Sequence, residues 1–434
     1  MNREILKIAL PNIISNITIP LLGLVDLALM GHLNSVDFIG AIALGGTIFN
    51  FIYWGFSFLR MGTTGITAQS YGAKDFRETI LSLSRALLVA IVGSSIILLL
   101  QHPIASLSFW LINADAQVET LAKSYFYIRV WAAPATIGLY ALMGWFIGMQ
   151  NAKIPMTIAI TGNIINIVLS YIFVYYFHMN EKGVALGTVL AQYSSLFLAV
   201  FFVLKYYSRL FPYWSRKGML KIEKLKTFFM VNKDIFLRTL CLIFVFTFFT
   251  TESATYNKDI LAINTLLLQF FYIFSYFIDG FAYAAEALVG RFVGANKPAQ
   301  LYRVTRLLFV WGTVIALVFT VNYALFGINI LKLLTNSVTA ISLLKDYLIW
   351  VMFVPIISFT SFLMDGIFVG ATASGYMRKT MMAATFFVFF PLYYVLQIFW
   401  GNHALWIAML AFLLARGLFQ AVVYKKALAK SISN

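Results

Sequence analysis

The chain has 434 residues, 61% of them hydrophobic, 17% aromatic and only 11% charged, with a mean hydropathy of +0.86. This composition excludes an ordinary soluble domain; at about 20 apolar residues per crossing the length allows roughly 10 to 14 transmembrane helices. Lys and Arg number 32 against 16 Asp and Glu, a net charge of +16, but the cations cluster between apolar segments, which argues against nucleic acid as a partner.

The chain opens with MNREILKIALPN, a charged start followed by an apolar run without a small-residue cleavage site, so it reads as a first span and not as a signal peptide. Twelve apolar segments follow one another, centred on Leu21, Phe51, Val92, Ala135, Ile165, Leu196, Phe244, Phe277, Thr313, Pro355, Val388 and Leu413. Their extended runs lack the polar/apolar alternation of an outer-membrane barrel. The expected fold is therefore an all-α membrane bundle of twelve helices.

Basic residues recur in every second connection: Arg3 and Lys7, Lys74 and Arg77, Lys153, the stretch from Lys205 to Lys226, Arg291 and Lys297, Arg378 and Lys379, Lys425 and Lys426. The alternate turns, near residues 31–36, 102–117, 178–182, 251–259, 327–337 and 401–403, carry few. Lys and Arg are retained on the cytoplasmic side, so both termini are expected there. The long polar connection divides the chain into an N-terminal lobe (1–205), a linker (206–226) and a C-terminal lobe (227–434).

A shift of 222 residues superposes Tyr71-Gly72-Ala73-Lys74 on Val293-Gly294-Ala295-Asn296 and Phe146-Ile147-Gly148 on Phe368-Val369-Gly370. Pro134 falls within one residue of Pro355 under the same shift. Six spans repeated in the same orientation imply two lobes about a pseudo-two-fold axis along the membrane normal, with a cavity between them, as in transporters.

Ionisable residues inside the bilayer are costly and usually have a purpose. Asp26 lies in PLLGLVDLALM, shortly after Pro20. It is either a carboxylate pinned by a structural partner or a proton or cation site, because burial penalises its charged form. Asn166 and Ser170 share one face of the fifth span with Asn163 just below, and Thr188 follows in the sixth; these neutral oxygens can complete a cation site or simply join helices. In the second half, Asp234 and Arg238 are expected to form an i,i+4 ion pair. Asp279, Glu286 and Asp365 either line the cavity or tie helices together. Arg60 and Arg129 either neutralise such acids or snorkel.

Enzyme chemistry finds little support. The four histidines, His32, His102, His178 and His403, fall at separate outer turns, and no HExxH, nucleophile elbow or Walker loop occurs. Cys241 is the single cysteine, so neither a disulfide framework nor a Cys-based metal site is expected. No cofactor is expected beyond H⁺ or Na⁺ as a coupling ion. The many Met, Phe and Tyr residues can form a permissive pocket for aromatic cations.

The segment LPNIISNITIPLLGLVDLALMGHL resembles the first span of MATE (multidrug and toxic compound extrusion) transporters. AQSYGAKDFRET and LVGRFVGANKPAQ resemble that family's paired turns, and GWFIGMQNAKIPM its fourth-span ending. KDIFLRTLC, DGFAYAAEALVG and SFLMDGIFVGAT resemble its DinF branch. The resemblance implies a two-lobed antiporter of the bacterial inner membrane, exporting amphipathic or cationic drugs against inward H⁺ or, less favoured, Na⁺; a monomer is the default expectation, since each chain contains its own pathway. It carries the family's cation site onto Asp26, Asn166 and Thr188, with Pro11 as the bending proline and Pro20 as an additional hinge. Related sequences often place an Asp where this chain has Ser170, which tilts the expectation toward H⁺. The competing readings are a lipid-linked precursor flippase of related fold and an integral-membrane enzyme.

Overall fold

A computed structural model describes residues 1–31, 35, 37–112, 115–334 and 338–433; His32 lies outside them. Regular structure among the described residues is helical throughout. Among the described residues, twelve helical stretches are long and apolar enough to cross a membrane, and each of the twelve segment centres read from the sequence falls inside one of them. The turn expected at 102–117 contains an additional helix, Gln101–Ile112. Its twelve residues would reach only about 18 Å, too short for a crossing.

The helices group into two compact units: Ile14–Phe228, and Met1–Ile13 together with Phe229–Asn434. The division falls within α1 (Asn2–Gly31). The first unit continues with α2 (Asp37–Gly55), α3 (Ser57–Gly72), α4 (Phe76–Leu99), α5 (Gln101–Ile112), α6 (Ala116–Arg129), α7 (Ala133–Gly148), α8 (Lys153–Tyr171), α9 (Asn180–Tyr207) and the short α10 (Arg216–Met219). The second contains α11 (Ile222–Tyr256) from Phe229 onward, α12 (Lys258–Gly294), α13 (Pro298–Leu334), α14 (Val338–Gly370), α15 (Ser374–Ala383), α16 (Phe390–Trp400) and α17 (Asn402–Ser433).

Within the units, the sequence repeat is a repeat of helix endings and crossings. α3 ends with Asp75 N–H donating to Ser70 O and Lys74 N–H to Tyr71 O, the double closure that needs a left-handed residue after the helix. Lys74 supplies it at φ 57°, and Asn296, 222 positions on, repeats the closure at φ 51°. Gln150 (φ 63°) and Thr372 (φ 50°) do the same after α7 and α14. A Cβ at Gly144 would stand 2.3 Å from the Arg60 carbonyl oxygen; at Gly366 it would stand 2.4 Å from that of Ala282. Each unit therefore crosses two helices backbone to backbone at the same position, where only glycine fits. Around these crossings the first unit buries Phe49, Phe126, Trp145 and Phe146.

Candidate cation and substrate site

The polar residues of the fifth and sixth spans meet between α8 and α9. Asn166, Ser170 and Thr188 are all buried. Asn166 Nδ2 donates to Thr188 Oγ1 at 3.0 Å, and that hydroxyl donates to the Val184 carbonyl at 2.9 Å. Thr188 thus fixes which way the Asn166 amide points. Gly187 lets the helices close: a Cβ there would lie 2.7 Å from Ser170 Oγ and 2.9 Å from its backbone nitrogen.

Helix α1 is laid along α8 by two side chains. Asn163 Nδ2 donates to Thr18 O at 3.3 Å, and Tyr175 donates its hydroxyl hydrogen to Leu29 O at 2.8 Å. The two ties advance together along both helices, so α1 and α8 run side by side in the same direction. Asp26, between Thr18 and Leu29, consequently stands level with the Ser170 region. Just past Ser170 the chain loosens into a π-helical turn, Ile172–Tyr176, a form that frequently marks functional positions. α1 itself continues as a helix through Pro11 and Pro20, although Pro20 offers no N–H to the turn before it.

Asp26 Oδ1, Asn166 Oδ1 and Ser170 Oγ are each buried and without a hydrogen-bond partner among the described residues. An unsatisfied buried polar atom costs about 1–3 kcal/mol. Such an atom can accept a proton, a water or a cation, and the three lie on α1 and α8, the two helices that Asn163 and Tyr175 join. Val25, Ala28 and Leu29 of α1, Tyr171 of α8 and Tyr175 of the π-helical turn line an open groove of about 440 Å³. The Tyr171 and Tyr175 rings lie 5.0 Å apart there.

A resident cation influences this carboxylate. The guanidinium of Arg129, at the end of α6, donates to the Tyr125 hydroxyl and lies 5.0 Å from the centre of the Phe49 ring and 5.4 Å from that of Tyr125. Its charge acts on Asp26, with which it forms no ion pair among the described residues. Of the two roles expected for Arg129, the structure shows a side chain held in an aromatic cradle with its charge directed inward. Sequence reading gave no sign of that cradle, because Phe49 and Tyr125 sit on other turns of the chain and look like ordinary packing residues.

The acids of the second unit have different partners from those expected. Asp234 and Arg238 do not pair with each other along α11. Asp234 instead meets Arg378 at 3.3 Å and accepts from Ser374 Oγ at 3.1 Å, both on α15. Arg238 pairs with Asp365 on α14, which also takes Arg416 Nη2 at 2.6 Å and Gln420 Nε2 at 2.7 Å from α17. The i,i+4 spacing was outcompeted because buried carboxylates find more donors across helices than along one. Asp365 therefore ties three helices together. Asp279 is half-buried and acts electrostatically on Arg416; Glu286 is buried on the same helix. Arg416 and Gln420 escaped the sequence reading, although two polar residues four apart in the apolar run AFLLARGLFQ were a usable signal.

The profile of the MatE family matches residues 11–172 and again 235–399, once in each half. The chain belongs to the MatE family. It is 39% identical over 98% of its length to "DNA damage-inducible protein F" of Escherichia coli (strain K12), covering 92% of that protein. It is 23% identical to "Protein DETOXIFICATION 44, chloroplastic" of Arabidopsis thaliana, over 88% of this chain and 74% of that one. Its fold matches that of the MATE transporter VcmN of Vibrio cholerae in the bent form, with a TM-score of 0.88 at 18% identity, over 99% of this chain and 97% of the other. This MatE protein is thus a multi-pass membrane transporter and not an enzyme.

Proposed function

We propose that this MatE protein is a secondary antiporter that exports amphipathic, often cationic organic compounds in exchange for H⁺ entering through Asp26. The observation that carries this reading is the set of unpartnered oxygens on Asp26, Asn166 and Ser170, with one carboxylate among them. A hard cation takes several oxygen ligands and benefits from negative charge. Here a single carboxylate already feels the Arg129 charge, and H⁺ and Na⁺ change the local charge equally, so the choice between them turns on the number of oxygen ligands that each requires. A proton needs only one oxygen and cancels the buried charge outright. H⁺ is accordingly favoured over Na⁺.

Protonation of Asp26 removes a desolvated charge and allows α1 to repack against α8, where Asn163 and Tyr175 hold it. Coupling follows if the repacked state binds the drug less tightly, since a ligand held equally by both states shifts nothing. Drugs of this class fit the groove beside Asp26: an aromatic body against Tyr171 and Tyr175, and a cationic group attracted to the ring faces and to the ionised carboxylate. The proposed location is the bacterial inner membrane, with both termini cytoplasmic and the protein acting as a monomer.

The test is efflux of a fluorescent cationic dye from liposomes under an imposed pH gradient. Asp26→Asn should bring efflux down to the level seen with the gradient collapsed, while dye binding persists. Gradient-driven efflux equal to that of the unaltered protein would remove Asp26 from the mechanism.

A further inference from the structure

Seven Lys and Arg lie between Lys205 and Lys226 against the single acid Glu223, so this connection carries far more positive charge than orientation in the membrane requires. It is not a loose tether. After α9 it forms a 3₁₀ turn, Ser208–Tyr213, and then α10. Buried Arg85 of α4 receives the end of α10: its Nε donates to Met219 O at 3.1 Å and its Nη2 to Gly218 O at 2.9 Å, while Glu78 pairs with the same guanidinium at 2.5 Å. Trp214 Nε1 donates to Ser84 Oγ at 3.0 Å, and Arg77 reaches Ser215 at 3.2 Å. The basic side chains on this docked scaffold are exposed. Among the described residues only Lys221 has an acid beside it, Glu223 at 3.1 Å. Tyr206, Tyr213 and Trp214 are exposed between them.

We propose that this connection is a binding surface for anionic phospholipid headgroups of the leaflet that it faces. Both of its ends are ends of membrane-crossing helices, which puts the cations and the exposed rings at headgroup level. Phosphate oxygens complement unpaired Lys and Arg, and Trp and Tyr settle at the same interface. Because Arg85 and Trp214 hold the backbone, the charges are presented in a fixed arrangement and not diluted over a mobile loop. The surface is independent of the Asp26 site and of which ion drives transport.

Native mass spectrometry of the full chain in detergent, with phosphatidylglycerol or phosphatidylcholine added, tests this. The unaltered protein should retain phosphatidylglycerol preferentially. A variant with Arg216→Gln, Lys217→Gln, Lys221→Gln and Lys224→Gln should lose that preference by about tenfold or more, since each cation near an anionic surface contributes appreciably. A variant with four exposed cations removed elsewhere, Lys297→Gln, Arg303→Gln, Lys425→Gln and Lys426→Gln, should keep it. Equal retention by the first variant, or equal loss by the second, would overturn the proposal. So would inorganic phosphate stabilising the protein to heat as phosphatidylglycerol does. The unaltered protein gives a reading that needs no variant: its preference should fade at about 1 M salt, where screening is nearly complete, and a preference unchanged there overturns the idea.

Discussion

Asn166 gives an amide hydrogen to Thr188 Oγ1, and Thr188 gives its own hydrogen to the Val184 carbonyl. The threonine hydroxyl is thereby committed on both sides, and the remaining oxygen of Asn166 is left buried without a partner among the described residues. Thr188 acts through Asn166 as a positioning residue. Thr188→Ala should free the amide to rotate and shift the pH profile of efflux, with an energy of about 1 kcal/mol, roughly fivefold in the proton concentration required. Thr188→Ser keeps the hydroxyl and should restore the profile. A profile unchanged in the alanine variant would show that the orientation of Asn166 is irrelevant.

Arg129 leads to a prediction about ion choice. With its guanidinium acting on Asp26, any added cation meets like charge in a desolvated setting, where such repulsion is poorly screened. Arg129→Gln removes this obstacle, so Na⁺ should begin to stimulate efflux in the absence of a pH gradient. Arg129→Lys keeps a charge near the rings of Phe49 and Tyr125 and should remain insensitive to Na⁺. The measurement is dye efflux from liposomes across a Na⁺ gradient at constant pH.

The cluster around Asp365 predicts a stability effect. Asp365→Asn would leave the buried Arg416 and the largely buried Arg238 without their shared carboxylate. Breaking a buried pair by deleting one partner costs about 3–5 kcal/mol, so the variant should show a markedly lower thermal midpoint in detergent. Removing the charge of Arg416 along with the carboxylate, as Asp365→Asn with Arg416→Gln, should recover part of the loss. Additive losses in the double variant would mean that the two side chains do not interact as drawn.

Much of this architecture is legible in the chain because lipid leaves few alternatives: a backbone that must satisfy its own polar groups in hydrocarbon becomes helix wherever the apolar run is long enough. Asp26 stands out for the same reason, as a carboxylate in PLLGLVDLALM has no solvent to excuse it. Asn166, Ser170 and Thr188 follow from helical periodicity and one short turn. What spacing does not reveal is partner choice between distant segments. Asp234 was four residues from Arg238, yet Ser374 and Arg378 reach it from α15. Arg129 needed Phe49, 80 positions earlier, to become a held cation. Such pairings are decided by packing between helices, to which local periodicity is blind.

The repeated crossing of α3 by α7 and of α12 by α14 predicts a matched pair of losses. Gly144→Ala would drive a methyl group to 2.3 Å from the Arg60 carbonyl oxygen, and Gly366→Ala to 2.4 Å from that of Ala282. Both obstacles are backbone, which cannot rotate away as a side chain can, so each pair of helices must separate. Overpacking of this kind typically costs about 1–3 kcal/mol, and here the small-residue contacts that stand in for hydrophobic association within the bilayer are lost as well. Each variant should therefore lower the yield of folded protein and its thermal midpoint, by comparable amounts because the obstruction is the same. Gly55→Ala, which meets nothing within 4 Å, provides the comparison and should leave both quantities unchanged. A large loss at Gly144 alone, with Gly366→Ala tolerated, would mean that the two units do not share the packing rule that their sequence repeat encodes.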